Sequence, residues 1–385
     1  MILLFLFAGI LTGTITGLIP GLHSNNVAII LAPLSFFGET ALVFVLSMII
    51  TQSFVDFIPA LFFAAPETST FEGVLPGHRM FLQGKGFEAI TLTVFGGIIA
   101  IPIGILCLPV FNLFLEINKD RFIVIIPIVL IVTIIILAFS EKSKAKVLLT
   151  LFVLFASATQ GYFFTDQIFP LIAGYFGVAT IIHSAKNPPS IKLQEISAQI
   201  KNNYVIDSLQ GILGGAIVSI IPGIGSNVAA AIIKTFKQKI NPKNYLVLVG
   251  SINTSNLFFS FPVLFILNKA RNGGMILLND KMFFTNQSFV LGIIIMLTSC
   301  GFGALITLAI AKKVSSFHFD SKKIGSIVII FLVISVFAFN GVIGLVALFF
   351  STATGLFVTI HKIKRSSCLG ALIVPALFYY LFILV

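Results

Sequence analysis

Apolar runs of about twenty residues, separated by short polar loops, recur along the whole chain, and this alternation restricts its fold more than any other feature. A run of that length spans a bilayer as a helix, whereas the strands of a membrane barrel alternate over about ten residues. Only 10% of the 385 residues are charged and 58% are hydrophobic, where a soluble globule carries about a quarter charged residues. The sequence therefore predicts an all-α, multi-pass integral protein of the cell membrane. Phe is abundant (42) and Trp is absent, so an aromatic belt would rest on Phe and Tyr.

The net charge of +11 does not indicate nucleic acid. The lysines sit in short loops between apolar runs, as the positive-inside rule expects, where they face anionic lipid. Cys107, Cys300 and Cys368 lie in or beside apolar runs without metal-like spacing, so no disulfide or zinc site is expected. The first apolar run has no basic segment before it, so no cleaved signal peptide is expected. No Walker loop, HExxH, CxxC or GxSxG motif occurs, and no nucleophile–base arrangement stands out. An enzyme is not expected, nor is a cofactor.

Two of the apolar runs are interrupted in the same way. Gly17 to Ala28 reads GLIPGLHSNNVA and Ser219 to Ala230 reads SIIPGIGSNVAA. Proline removes a backbone donor and glycine weakens a helix. In hydrocarbon such a break is tolerated only where protein or a water-filled cavity surrounds it. Matched interruptions in the two halves of a membrane chain point to a transporter's substrate site.

The remaining spans repeat in the same order. After the first interrupted segment, residues 1–37, come Thr40–Phe63, a polar connector Ala64–Gly86, and spans at Phe87–Leu115, Phe122–Phe139, Val147–Phe163 and Gln167–His183. After the second, Tyr204–Phe236, come Tyr245–Leu267, a connector Asn268–Asn286, and spans at Ser288–Ala311, Ile324–Phe339, Val342–Ile360 and Cys368–Val385. A shift of roughly two hundred residues aligns the Pro-Gly motifs and sets Pro59 on Pro262. We read 1–183 as a first repeat, 184–203 as a cytoplasmic linker and 204–385 as a second repeat. If each interrupted segment is a re-entrant hairpin, five lysine-rich loops fall on one face, and the copies, each a hairpin plus about five helices, are inverted. The basic loop containing Lys269, Arg271 and Lys281 falls on the other face. If the segments are broken spans instead, the count changes.

A hairpin tip at the midplane aims the N-terminus of its second half-helix, with free N–H groups and partial positive charge, into the membrane. Two such ends form an anion site without a buried cation. The expected substrate residues are Pro20, Gly21, His23, Ser24, Asn25, Asn26, Pro222, Gly223, Gly225, Ser226 and Asn227, with Asn253, Thr254 and Asn256 from the polar stretch GSINTSN of the next span. The competing readings are capped helix kinks for the tips and interhelical hydrogen bonding for the polar stretch. Asp56 is the one acid well inside an apolar span. With Thr51 and Ser53 it is the candidate for coupling to sodium or protons, unless it lies at the span end within reach of water. No fixed metal site is expected. Glu67 and Glu72 read as solvated loop residues, and the histidines other than His23 receive no role.

Four stretches, GLIPGLHSNN, LPGHRMFLQGKGFEAI, FPLIAGYFGVATII and IIPGIGSNVAA, resemble the permease subunit of tripartite tricarboxylate transporters, in particular its shorter, largely archaeal branch. The resemblance implies an inverted-repeat secondary transporter with its tips at Pro20-Gly21 and Pro222-Gly223. It implies a carboxylate substrate, an ion gradient, a small membrane subunit and an extracytoplasmic binding protein; a homodimer is a further expectation. The chain departs from the family in its shorter length, in His23 where glycine is more frequent, and in the connector KARNGG. The leading expectation is symport of a small organic anion by alternating access. The alternative is translocation of a polyprenyl phosphate, whose headgroup suits opposed helix N-termini equally well.

Overall fold

The computed structural model describes residues 1–20, 38–65, 70–119, 121–139, 141, 143–185, 191–201, 203–221, 225–237, 240–270, 272–281, 284–317 and 321–384. All regular structure among them is helical. The first half contains α1 (Ile2–Leu18), α2 (Glu39–Val55), α3 (Phe57–Phe63), α4 (Phe71–Leu82), α5 (Gly86–Asn118), α6 (Phe122–Ala138), α7 (Lys144–Phe163) and α8 (Ile168–Ile172). A π-helical turn, Ala173–Val178, joins α8 to α9 (Ala179–Ala185). The second half contains α10 (Tyr204–Ile220), α11 (Ser226–Phe236), α12 (Pro242–Leu267), α13 (Gly273–Lys281), α14 (Asn286–Ser315), α15 (Ser321–Ile360), a 3₁₀ turn (Arg365–Leu369) and α16 (Gly370–Leu384). Among the described residues, seven helical stretches are long and apolar enough to cross a membrane.

Two helical stretches form the centre, Glu39–Phe63 and Pro242–Leu267, and both are enclosed by protein. α1 and α14 pack on α2, while α10 and α5 pack on α12. Each central helix is thus covered by one helix from its own half and one from the other. Close approach comes from small residues. A Cβ on Gly9 or Gly13 would collide with the Phe44 or Met48 carbonyl, and one on Gly211 or Gly215 with the backbone of α12. The packing of α1 on α2 therefore recurs in α10 on α12. Small residues spaced by four serve this purpose in membranes, where van der Waals contact must replace the hydrophobic effect between helices.

The two central helices also end alike. Ala64 closes α3 and Asn268 closes α12, both with φ of 52° in the left-handed region. Elsewhere, sequence chemistry sets the starts. Asn241 accepts from the Lys243 N–H at 3.0 Å, and Pro242 opens α12 without losing a helical bond. Thr285 and Ser288 form a reciprocal capping pair at the start of α14.

Both polar connectors contain a helix, contrary to their reading as loops: α4 in the first and α13 in the second. In α4 the apolar side chains Val74, Met80 and Phe81 are buried, so the connector is packed against the bundle rather than solvated. The linker is tied down as well. Lys192 and Glu195 donate their backbone N–H groups to Leu82 and Gly84, and Gln194 accepts from Gly86 N–H at 3.0 Å. α15 breaks at Gly341, whose φ of 62° and ψ of −157° are non-helical. The chain reverses there and lays Gly344 against Val336, giving the two expected spans. Cys300 and Cys368 are buried and Cys107 is exposed. Apolar side chains such as Leu106, Val110, Leu148, Phe155 and Phe349 are exposed on the outer helices, as a lipid-facing surface requires.

The α5–α12 crossing gives a direct test. A Cβ on Gly250 would lie 2.1 Å from the Thr93 carbonyl oxygen, whereas one on Gly301 meets nothing within 4 Å. Gly250→Val should destabilise the detergent-solubilised protein by about 1–3 kcal/mol, read as a lower Tm. Gly301→Ala should leave Tm unchanged or raise it slightly.

Candidate functional site

The site is built around α11, a short helix that starts two residues after the second Pro-Gly pair. Gly225 precedes it in extended conformation (φ −88°, ψ 173°). Ser226 and Asn227 open the helix and are both buried. Ser226 Oγ contacts Asn253 Oδ1 at 3.5 Å, a long and weak hydrogen bond. Asn253 Nδ2 donates to the Ser53 carbonyl at 3.1 Å, and the Ser53 and Thr254 hydroxyls lie 3.5 Å apart. Asn227 Oδ1 accepts from the Glu72 backbone N–H at 3.0 Å. The start of α11 is therefore linked to both central helices and to α4.

Several of the expected site residues meet in this junction: Gly225, Ser226, Asn227, Asn253, Thr254 and Ser53. Asn256, one turn further along α12, is half-buried, with its backbone N–H beside Gly215. Pro20 is buried at the end of α1. Gly21, His23, Ser24, Asn25, Asn26, Pro222 and Gly223 lie outside the described residues.

Thr51 and Asp56 do not join the junction and do not share a face with each other, being five residues apart on α2, about 140° around the helix. Asp56 occupies the break between α2 and α3, is 3% exposed, and lies against Gly17 near the first Pro-Gly pair. It does not sit at a water-exposed span end. Thr51 is buried between Gly13 and Gly303. Its hydroxyl and the neighbouring Gln52 Oε1 are buried without a hydrogen-bond partner among the described residues. An unmade hydrogen bond of this kind costs about 1–3 kcal/mol, a cost that a bound water or ion would relieve. The contacts of Gly9 with Ser47 and of Gly211 with Ser251 also revise the correspondence of the central helices: Asp56 answers to Ser260 rather than Phe259.

At the other end of α11 lies a cavity of about 320 Å³, lined by Glu72, Arg79, Lys234, Lys362 and Arg365 among others. Glu72 is buried, not solvated as its loop position suggested. Its Oε2 accepts from the Tyr245 hydroxyl at 2.8 Å and from Lys234 Nζ at 3.3 Å. Lys234 Nζ also sits 4.6 Å from the Tyr245 ring centroid, a cation–π distance. Arg365 donates to the Thr180 and Thr359 hydroxyls at 2.5 and 2.9 Å, and to the Phe176 carbonyl at 3.5 Å. Phe176 belongs to the π-helical turn, where altered backbone bonding leaves carbonyls available to other donors. Two further ion pairs, Lys237–Asp207 and Lys243–Glu88, flank this end of α11 and α12.

Sequence reasoning missed Glu72, Tyr245, Lys234, Arg79 and Arg365 as a group. Lys234 falls on α11 two turns after Asn227, and Arg79 lies in LPGHRMFLQGKG, so the signals were present. Lys234 and Arg365 read as charges of lysine-rich loops, Arg79 as part of the polar connector, and Glu72 as a solvated loop acid.

His78, beside Arg79 on α4, donates from Nδ1 to the Leu61 carbonyl at 3.1 Å. Burial pulls its pKa below 6.5, outweighing the upward push of hydrogen bonds to the Leu61 and Phe62 carbonyls. The unfolded imidazole therefore takes up a proton first as pH falls, and stability is lost as pH drops through about 6.5. Tm measured across pH 8 to about 5 should fall in acid, and His78→Gln should flatten that fall.

The chain matches the tripartite tricarboxylate transporter TctA family over residues 3–370. It is 28% identical over 402 residues to the uncharacterized protein MJ1079 of Methanocaldococcus jannaschii, an alignment covering 98% of this chain and 99% of that one. No solved structure matches it.

Proposed function

Because this chain belongs to the tripartite tricarboxylate transporter TctA family, a family of membrane transporters and not of enzymes, we propose that it is the permease for a small organic di- or tricarboxylate. The observation that carries the reading is the junction at α11: Ser226 and Asn227, Asn253 and Thr254, and Ser53 converge from both halves at the helix start beside the second Pro-Gly pair. Substrate carboxylate would bind at this start, to side-chain amides, hydroxyls and helix N–H groups rather than to a buried cation. Pro20-Gly21 with His23, Ser24, Asn25 and Asn26 would supply the opposing wall, and Pro222-Gly223 the turn before α11. Both would be re-entrant tips of inverted repeats, and transport would proceed by alternating access.

Coupling would use the end of α2 around Asp56. Asp56, buried in the break of the central helix, can carry a proton or bind sodium, and Gln52 Oε1, one turn before it and without a partner among the described residues, supplies a neutral oxygen, with the Thr51 hydroxyl as a second. Ser53 would connect the two, since its backbone carbonyl already holds Asn253. The family name implies a tripartite assembly, so a small membrane subunit and an extracytoplasmic binding protein are the expected partners.

Reconstituted uptake tests the reading. Proteoliposomes should accumulate at least one member of a carboxylate panel when a sodium or proton gradient is applied. Asn253→Ala should lower the rate about tenfold or more, the equivalent of one lost hydrogen bond to a charged group. Asp56→Asn should abolish the gradient dependence. Absence of uptake for every carboxylate, combined with leaflet exchange of a polyprenyl phosphate, would overturn the assignment.

A further inference from the structure

We propose that the cavity at the far end of α11 is a second anion site, which takes a small polycarboxylate through Arg79, Lys234, Lys362 and Arg365. The choice of ligand rests on the transport reading above; the site itself rests on its own geometry. At about 320 Å³ the cavity is at the lower end of the range for small-molecule sites, roughly 300–1,000 Å³. It is separate from the junction, since Ser226 and Lys234 stand at opposite ends of α11, more than two helical turns apart.

Its charge is unbalanced. Five cationic residues line it, Lys364 with the four named above, against the single carboxylate of Glu72. Among the described residues, Glu72 makes an ion pair only with Lys234, and neither Arg79 nor Arg365 has a carboxylate within ion-pair distance. Arg365 is held in place by neutral oxygens from Phe176 of the π-helical turn, Thr180 of α9 and Thr359 of α15. Its guanidinium is thus positioned without being neutralised. Arginine's planar fork matches carboxylate geometry, and lysines add charge without demanding direction.

Glu72 then has a specific role. Its carboxylate occupies Lys234 and the Tyr245 hydroxyl when no ligand is present. A ligand carboxylate competes with Glu72 for Lys234, so Glu72 sets the affinity of the site and keeps it weak enough to release an anion.

Isothermal titration of citrate into the full chain, held in nanodiscs of zwitterionic lipid, tests this. Wild type should bind, and Arg79→Gln and Arg365→Gln should each weaken binding about tenfold or more. Glu72→Gln should strengthen it, because Lys234 is released. Arg79 is exposed, so its variant should fold and keep the experiment decisive even if a change at buried Glu72 lowers Tm. Citrate binding that is indifferent to Arg79 and Arg365 would overturn the proposal. So would binding of inorganic phosphate or of anionic lipid headgroups with none of citrate. Asn253→Ala should slow uptake about tenfold or more and keep this binding, which separates the two sites. Arg79-dependent citrate binding in a protein that transports no carboxylate would refute the transport reading and leave the cavity; uptake without such binding would do the reverse.

Discussion

Everything in this bundle depends on keeping two helical stretches, Glu39–Phe63 and Pro242–Leu267, away from lipid along their length. Only a helix so enclosed can carry Thr51, Gln52, Ser53 and Asp56, or Ser251 through Asn256, in the middle of a membrane. The enclosure comes from backbone-to-backbone approach at glycines of α1, α10 and α5. Where the backbones meet so closely, side-chain hydroxyls can reach neighbouring carbonyls, as Ser251 does with Ser208 at 2.7 Å. Packing and polarity are therefore coupled: the small residues that bring helices together also satisfy the polar ones.

α11 connects that arrangement to the junction at its start and to the cavity at its end. Its first turn touches α12, whose Asn253 in turn holds α2, and its last turn points Lys234 at Glu72 in the connector of the other half. A short helix can serve both regions because its first six residues, Ser226 to Ala231, are buried on every side, while its last turn reaches the cavity. A shift of α11 would disturb the junction and the Glu72–Lys234 pair together. The helix is thus a physical link between the two regions, carried by named hydrogen bonds rather than by proximity alone.

Much of this was legible in the residues. Apolar runs located the spans, and the Pro-Gly pairs with their Ser-Asn followers located the start of α11. The GSINTSN stretch supplied Asn253 and Thr254, which do meet Ser53. What failed to show was the role of the connectors. Hydropathy classes a Gly- and Pro-punctuated segment with two glutamates as loop, because it averages over residues that a helix sorts onto separate faces. α4 buries Val74 and Met80 while directing Glu72 at Tyr245 and leaving Arg79 exposed. That separation appears only once the bundle surface beneath it exists. The register error at Asp56 has another cause: Pro59 and Pro262 are displaced by one residue from the correspondence that the glycine contacts and the helix ends at Ala64 and Asn268 share.

The crossed packing of the halves has a consequence for biosynthesis. α2 is covered on one side by α14, and α12 by α5. When the ribosome has completed only the first half, α2 at Thr51 is met by Gly13 of α1 but its side toward Gly303 is uncovered, and the Gly96 face of α5 still awaits Val247 and Ser251. The nascent first half must therefore persist in the bilayer as inserted but unfinished helices, with polar groups facing lipid or the insertion machinery. Its core closes only after α12 and α14 have entered the membrane. Assembly of this protein is a late, whole-chain event, and a truncated first half cannot stand in for half a transporter.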